Sequence, residues 1–572
     1  NTEDIKIQSC IEQEKQQNDK NIEEQNILNR PQRTIRAPNY LQDYDTSYLA
    51  TALSAETIID NVPTTYDEAQ SHPNKKEWNL AMKSEIESLY KNKTWTLVKK
   101  PQNRNIISTK WIFKIKKDGE GQITKYKARL VARGFSQQEG MDYTETYSPV
   151  AKLTTFRSLL VFAVQKNWYL YQLDVKTAFL HGVVNEEIYI EQPCGFSENN
   201  NLVCRLHKAL YGLKQASKCW NNRFHQFLTK IGFTRSNTDH CLYTLDFSGS
   251  EDLIHLLLYV DDIILASGSI NRINELKYQL KEEFEIEDCG ILSYYLGIKI
   301  EHNIDKAELK ISQGQYLKNV LRRFNMLDCK PRSIPIETKV DLSINTLSTT
   351  CSQPYRQLIG CLMYAMLATR PDLSYCLNYF SHFQSNPEEV HWMYLKNVLR
   401  YIKGTLDYSI IYRKQSGNIP ILEGFVDADW ANHKDRKSVT GYIFKIYGSI
   451  VSWSTNRQPT IALSTTEAEY MAASYATCEA IWLRSILKDF GVELFEPITL
   501  YEDNQSCIQL SQNPGHHRRT KHIDIRHHFI REKVEEGIVK LKYITSENQQ
   551  ADILTKGLPV SKFNHLIKLI MN

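Results

Sequence analysis

Residues 256–266 read LLLYVDDIILA, an apolar run interrupted only by Tyr259 and the adjacent carboxylates Asp261 and Asp262. The pattern fits two buried strands joined by a tight turn. A buried carboxylate without a partner costs roughly several kcal/mol, so a chain that places two acids here must bring a cation to them. Successive strand residues face opposite sides of a sheet. The pair therefore serves one cluster only from a hairpin turn, and one acid contributes more; Asp261 is the firmer candidate.

A second acid has a similar setting. In WYLYQLDVKTAFLHG, Asp174 ends an aromatic and aliphatic run. If its strand neighbours the hairpin, three carboxylates converge, an arrangement that divalent cations stabilise. Mg²⁺ suits such an oxygen-only site with few carboxylates, with Mn²⁺ as the alternative. Two ions would activate a hydroxyl, clamp a triphosphate and stabilise in-line displacement, which is nucleotidyl transfer.

The chain has 572 residues, too many for one hydrophobic core, so two to four domains are expected. A net charge of +4 neither demands nor excludes nucleic acid. Twelve cysteines without a Cys-x-x-Cys pair read as buried, reduced thiols. No apolar stretch approaches the length of a membrane span, so no membrane partner is expected. The polar start NTEDIKIQSC is no signal peptide and lacks an initiator Met, which points to a fragment or processed product.

Residues 1–60 are polar, then basic and proline-interrupted, and read as a disordered basic linker. Trp78, Met82, Ile86 and Leu89 then recur at helical spacing, followed by the strand-like TWTLVKK, STKWIFKIKKD and ITKYKARLVARGF. Residues 318–415 are mainly helical in pattern, and an alternating α/β segment opens at ILEGFVDADW.

That last segment carries a second set of acids. Asp427 closes an apolar strand, Glu469 lies early in a helix opened by Ser464 and Glu467 as a capping box, Asp503 ends ITLYED, and Asp552 follows TSENQQA. Four acids from separate elements suggest a two-ion centre that turns water on a phosphodiester. The His-rich GHHRRTKHIDIRHHF (515–529) fits no standard zinc spacing and reads as a basic contact surface for nucleic acid.

YVDD between apolar runs, with QLDVKTAFL, YKARLVARGF, LYGLKQASKCW and YLGIKIE, resembles the polymerase of copia-type LTR retrotransposons (the pseudovirus group), over roughly residues 75–560. The acids of the last segment resemble those of ribonuclease H. The resemblance implies a multidomain α+β chain. A right-hand polymerase would comprise fingers, palm and the start of a thumb at 75–337 and a helical thumb or connection region at 338–418. A ribonuclease H-like α/β domain would follow at 419–560.

Residue by residue, it makes Asp174, Asp261 and Asp262 the polymerase metal ligands, and Asp427, Glu469, Asp503 and Asp552 those of the nuclease. Phe179 matches an aromatic gate against a ribose 2′-OH. Lys127 and Arg129, two apart on one strand face, match triphosphate and template contacts. Gly212 and Lys214 match a segment near the incoming nucleotide, and Leu296 and Gly297 a primer-grip hairpin. Two departures stand out. Retroviral relatives have Gln-Gly where this chain has Tyr211-Gly212, and the loop before Asp552 lacks their His.

The implied activity is RNA-directed DNA synthesis with removal of the copied RNA. Its partners would be an RNA template, a DNA primer, an RNA/DNA hybrid and deoxynucleoside triphosphates, with integrase or virus-like-particle proteins as associates. The setting would be intracellular, in cytoplasmic particles and the nucleus. No protease, zinc-knuckle or integrase motif is present. The alternative is an inactive relic or a domesticated nucleic-acid-binding protein.

Overall fold

The computed structural model describes residues 62–571, apart from 118–122, 199–200, 247–252, 339, 341, 343–350, 418, 432–434 and 513–523. The expected linker at 1–60 lies outside these residues, as does the His-rich stretch as far as 523.

The helical spacing near the start produces the helix Lys75–Lys91, whose buried stripe is Trp78, Met82, Ile86 and Leu89. Glu85 is buried with them, and its Oε1 accepts from the Leu130 N–H at 3.3 Å. That bond ties the helix to a two-stranded ribbon, Thr109–Lys117 with Ile123–Ala132. Trp78 packs edge-on against Phe113 and Tyr126, with centroids 5.2 and 4.8 Å away.

The run around the acid pair folds into the middle of a six-stranded sheet. Its order is Ile286–Ile291, Tyr169–Val175, Asp262–Ser267, Ile254–Tyr259, Leu242–Leu245, Thr234–Arg235. On one face Leu256, Leu258, Ile263 and Leu265 join a core with Trp220 and Phe224 of helix Ala216–Lys230 and Ile273 and Leu276 of helix Ile270–Glu283. Leu257, Ile264 and Ala266, of the opposite parity, are equally buried. A sheet covered on both faces has no polar alternation, which explains why the sequence runs apolar without a break.

The helix Leu153–Lys166 is buried at every position from Thr154 to Val164. A helix buried on every side needs cover from more than one neighbour, and its buried polar residues, Arg157 among them, need partners there. Phe162 meets Trp168 and His255 of the six-stranded sheet region and also stacks on Phe490 at 5.4 Å.

A four-stranded sheet follows, Tyr294–Tyr295, Ile298–Asn303, Glu308–Ser312 and Ser409–Arg413. The helices Gly314–Arg323, Tyr355–Ala368, Ser374–Ser381 and Glu389–Lys403 lie between its last two strands in sequence.

The last domain is a five-stranded sheet in the order Ser449–Arg457, Val439–Ile446, Leu422–Asp429, Ile498–Glu502, Val539–Tyr543. The first three strands are antiparallel and the last two join in parallel. With the long helix Thr465–Asp489 against it, this is a ribonuclease H-like α/β fold.

The eleven described cysteines are unpaired, as expected, yet only five are buried, so burial does not account for the rest. No described helix is long and apolar enough to cross a membrane.

Candidate active sites

The hairpin sets the first acids at one strand end, but among the described residues the groups of three acids with oxygens within 4.8 Å of one another lie in the last domain and not here. Their placing needs one correction. Tyr259 pairs with Asp262, so the two-residue turn is Val260–Asp261 and Asp262 opens the second strand. Val260 has φ +56°, unusual for a β-branched residue. The Trp220 indole N–H donates to its carbonyl at 2.5 Å and holds the turn.

Asp262 lies directly opposite Asp174 across the neighbouring strand, and the Val175 N–H donates to the Asp261 carbonyl at 2.8 Å. The three carboxylates thus sit at one end of two adjacent strands. They are not equivalent. Burial raises the Asp261 carboxyl above its usual range, Asp174 adds to the rise, and Arg129 and Lys127 oppose it. Asp262 instead accepts from Gln172 Nε2 at 3.1 Å.

Lys127 and Arg129 stand two apart on the strand Ile123–Ala132. Arg129 lies over the Tyr211 ring at 4.4 Å, and Phe179 packs on that ring with centroids 4.7 Å apart. The Tyr211 hydroxyl is pushed up to about 12 by burial; Arg129 works against the shift while Asp261, Glu85 and Asp174 add to it. Tyr211 therefore shares the field of the acids, a position the sequence reading left without a role.

Gly212 has φ +89°, and a Cβ there would lie 2.1 Å from the Ala132 carbonyl oxygen, so the backbone itself requires glycine. Lys214 is held on the flank of the hairpin turn. Its Nζ donates to the Tyr143 hydroxyl at 2.9 Å and, with Trp220 and Val260, lines a cavity of about 180 Å³. Leu296 and Gly297, both at positive φ, form the turn between Tyr294–Tyr295 and Ile298–Asn303, where the Tyr364 hydroxyl donates to the Leu296 carbonyl.

In the last domain all four expected acids converge. Asp427, Asp503 and Asp552 each bring an oxygen within 4.8 Å of the others, and so do Glu469, Glu502 and Asp503. Asp427 lies on the central strand, Asp503 just past the strand beside it, Glu469 in the first turns of the long helix and Asp552 at the head of the short helix Asp552–Thr555.

The Ser464 hydroxyl accepts from the Glu467 N–H at 3.2 Å, while the Glu467 carboxylate accepts from Leu463 N–H at 2.9 Å. That engagement of Glu467 in the helix cap leaves Glu469 to face the centre. Burial pushes Asp427 up to about 7, Lys556 opposing the rise and Asp552 adding to it. Burial and Glu502 hold Glu469 well above its usual range, and burial does the same for Glu502.

Several groups here escaped the sequence reading. Glu502 ends the strand Ile498–Glu502 on the same face as the buried Ile498 and Leu500. Lys556 and Lys562 contact Asp552, and Thr555 donates to Asp427. Ser546 donates to Asp503 at 2.6 Å. His565, from the helix Val560–Met571, lies 3.1 Å from Asn548 in the loop that lacks its own His.

A right-hand polymerase core joined to a ribonuclease H-like domain is the class these sheets and acids define. The reverse transcriptase (RNA-dependent DNA polymerase) family matches residues 92–338. The Pol polyprotein of transposon TNT 1-94 from Nicotiana tabacum is 42% identical over 521 residues, covering 89% of this chain and 39% of that protein. A transposon Ty5-1 protein of Saccharomyces cerevisiae is 32% identical and is covered along 100% of its length, over 54% of this chain.

The chain belongs to the Pol polyproteins of copia-type LTR retrotransposons and carries their reverse transcriptase domain. It spans between 34% and 39% of the length of the plant polyproteins it matches. Among solved structures, a foamy viral protease-reverse transcriptase in complex with RNA/DNA hybrid aligns over 83% of this chain and 54% of that chain, at 13% identity and a TM-score of 0.46.

Proposed function

We propose that this chain copies RNA into DNA at the hairpin site and degrades the copied RNA at the C-terminal site. The observation that carries the reading is the pairing of Asp262 opposite Asp174, with Asp261 in the adjoining turn. Three carboxylates on one strand end form a hard-oxygen donor set that suits Mg²⁺ or Mn²⁺. Asp174, Asp261 and Asp262 would hold the ions at the first site, and Asp427, Glu469, Asp503 and Asp552 at the second. When bound, divalent ions supply charge neutralisation and activation of the attacking oxygen.

The chain's own groups do the rest. Lys127 and Arg129 meet the triphosphate and template phosphates as diffuse positive charge. The Phe179 ring closes on the sugar and excludes a 2′-OH. Tyr211 buttresses that ring and is itself held by Arg129. At the second site, Asp427 and Glu469 present oxygens from a strand and a helix, where they would hold the ions that meet the scissile phosphate.

A primer-extension assay on an RNA template with a DNA primer, with and without Mg²⁺, tests the reading. Metal-dependent extension with deoxynucleotides supports it; RNA binding without turnover would favour the relic. Tyr211→Ala is expected to raise ribonucleotide use relative to deoxynucleotides by roughly tenfold or more, and Tyr211→Phe to leave the ratio near the parent's. The ratio of kcat/KM for the two substrates measures this. Asp552→Asn should remove cleavage of a preformed RNA/DNA hybrid while primer extension continues; simultaneous loss of both would show that the sites are not separable.

A further inference from the structure

The charges of the second centre divide unevenly. At one end both oxygens of Asp552 face ammonium groups: Lys556 Nζ lies 2.7 Å from Oδ1, and Lys562 Nζ contacts Oδ2. Lys556 also lies 3.4 Å from Asp427, whose carboxylate accepts from the Thr555 hydroxyl as well. At the other end stand Glu469, Glu502 and Asp503. Glu469 is 6% exposed and Glu502 0%. Glu469 Oε2 and Glu502 Oε2 have no hydrogen-bond partner among the described residues; Asp552 Oδ1 has none either, but it has the Lys556 ammonium at 2.7 Å as its counter-charge. The other Glu502 oxygen accepts from the Asn504 N–H at 3.1 Å.

Orphaned carboxylate oxygens at this depth are costly unless a cation meets them. The Asp427–Asp552 end already has one. Its ammonium comes from the residue four positions after Asp552, so the segment that delivers the acid also delivers the charge that offsets it.

We propose that Lys556 is a resident cation at the Asp427–Asp552 end. The first divalent ion then enters at the Glu469–Glu502–Asp503 end, with Glu502 as a fifth acid of the site. The proposal rests on reading this centre as a divalent-ion site. An ion entering the Asp427–Asp552 end has to displace the Lys556 ammonium, so the two ends fill in a fixed order. Lys556 is a positioning residue in this scheme, and its effect is on ion occupancy.

Mn²⁺ binding to the full chain tests it, followed by the electron paramagnetic resonance signal of the free ion. An Asp174→Asn/Asp261→Asn background keeps the first site from taking ions. One tight Mn²⁺ per chain is expected in that background, and adding Lys556→Met should create a second site of comparable affinity. Glu502→Gln should weaken the first site by roughly tenfold or more.

Thermal melting supplies a readout that does not depend on activity. Lys556→Met should melt lower without metal and recover on addition of Mn²⁺, as a lost cation would. If it binds one ion as before and Mn²⁺ recovers nothing, Lys556 is only structural and the proposal fails. Unchanged affinity in Glu502→Gln would remove Glu502 from the site. If Lys556→Met does not fold even with Mn²⁺, the ion count of Lys556→Gln decides by the same criterion. Absence of any Mn²⁺ binding in the background protein would instead overturn the divalent-ion reading itself.

Discussion

Asp261→Asn is expected to reduce primer extension on an RNA template by more than the roughly 10–100-fold that loss of an outer-shell metal partner costs. The substitution keeps the shape of the side chain and the backbone bond from the Val175 N–H to the residue 261 carbonyl, and removes only the charge. Asp261 is the acid that shares its surroundings with Asp174, Arg129 and Lys127. Asp262, hydrogen-bonded by Gln172, is expected to be the less damaging of the pair when changed to Asn. Cleavage of a preformed RNA/DNA hybrid by the same preparation serves as the control for folding, because the second centre lies in another sheet. An Asp261→Asn protein that polymerises like its parent would remove this residue from the site. Greater damage from Asp262→Asn would reverse the ranking.

The hairpin was legible because its energetics are local. Two acids inside an apolar run have few explanations, and the period-two geometry of strands already separates their roles. What the sequence could not place was the turn itself. The natural expectation puts Asp261 and Asp262 at the tip, whereas the register puts Val260 there, at a φ that a β-branched residue ordinarily avoids. The bond that pins it comes from Trp220, distant in the chain.

The second centre divides in the same way. Asp503 and Asp552 stand at element ends, while Asp427, expected to close its strand, lies two residues inside Leu422–Asp429 and Glu469 is the fifth residue of its helix. Each still follows a recognisable pattern, so their order along the chain was enough. Glu502 shares the parity of the buried Ile498 and Leu500, so strand alternation already turns it inward, and Asp503 beside it hides it by matching the expected acid. Lys556 and Lys562 read as ordinary surface charges until the fold turns them onto Asp552. Tyr211 was visible as a departure from the retroviral pattern, yet its contacts with Phe179 and Arg129 come from three separate elements.

Arg157→Met is expected to lower the stability of the polymerase and ribonuclease H-like domains together. Arg157 lies on the buried helix Leu153–Lys166 and is 4% exposed. Its Nε donates to the Val451 carbonyl at 2.6 Å, in the edge strand Ser449–Arg457 of the five-stranded sheet. Its Nη1 donates to the carbonyls of Leu367 and Ala368 at 2.8 and 3.1 Å, at the C-terminal end of helix Tyr355–Ala368, where a helix favours positive charge. The guanidinium also lies 3.9 Å from the Trp453 ring centroid. Methionine keeps much of the volume but leaves the buried carbonyls of Val451 and Ala368 without this donor, each at a cost of roughly 1–3 kcal/mol, and the part-buried Leu367 carbonyl without it as well. The same boundary includes the Ser236 hydroxyl donating to Asp489 at 2.5 Å and Phe162 stacked on Phe490. A helix buried on every side cannot lose its second cover and stay folded, so the two domains should unfold as one. Differential scanning calorimetry should show a single transition that Arg157→Met shifts downward, with primer extension and hybrid cleavage lost at the same lowered temperature. Two independent transitions in the parent protein, or a substitution that shifts only one of them, would show that the domains are merely adjacent.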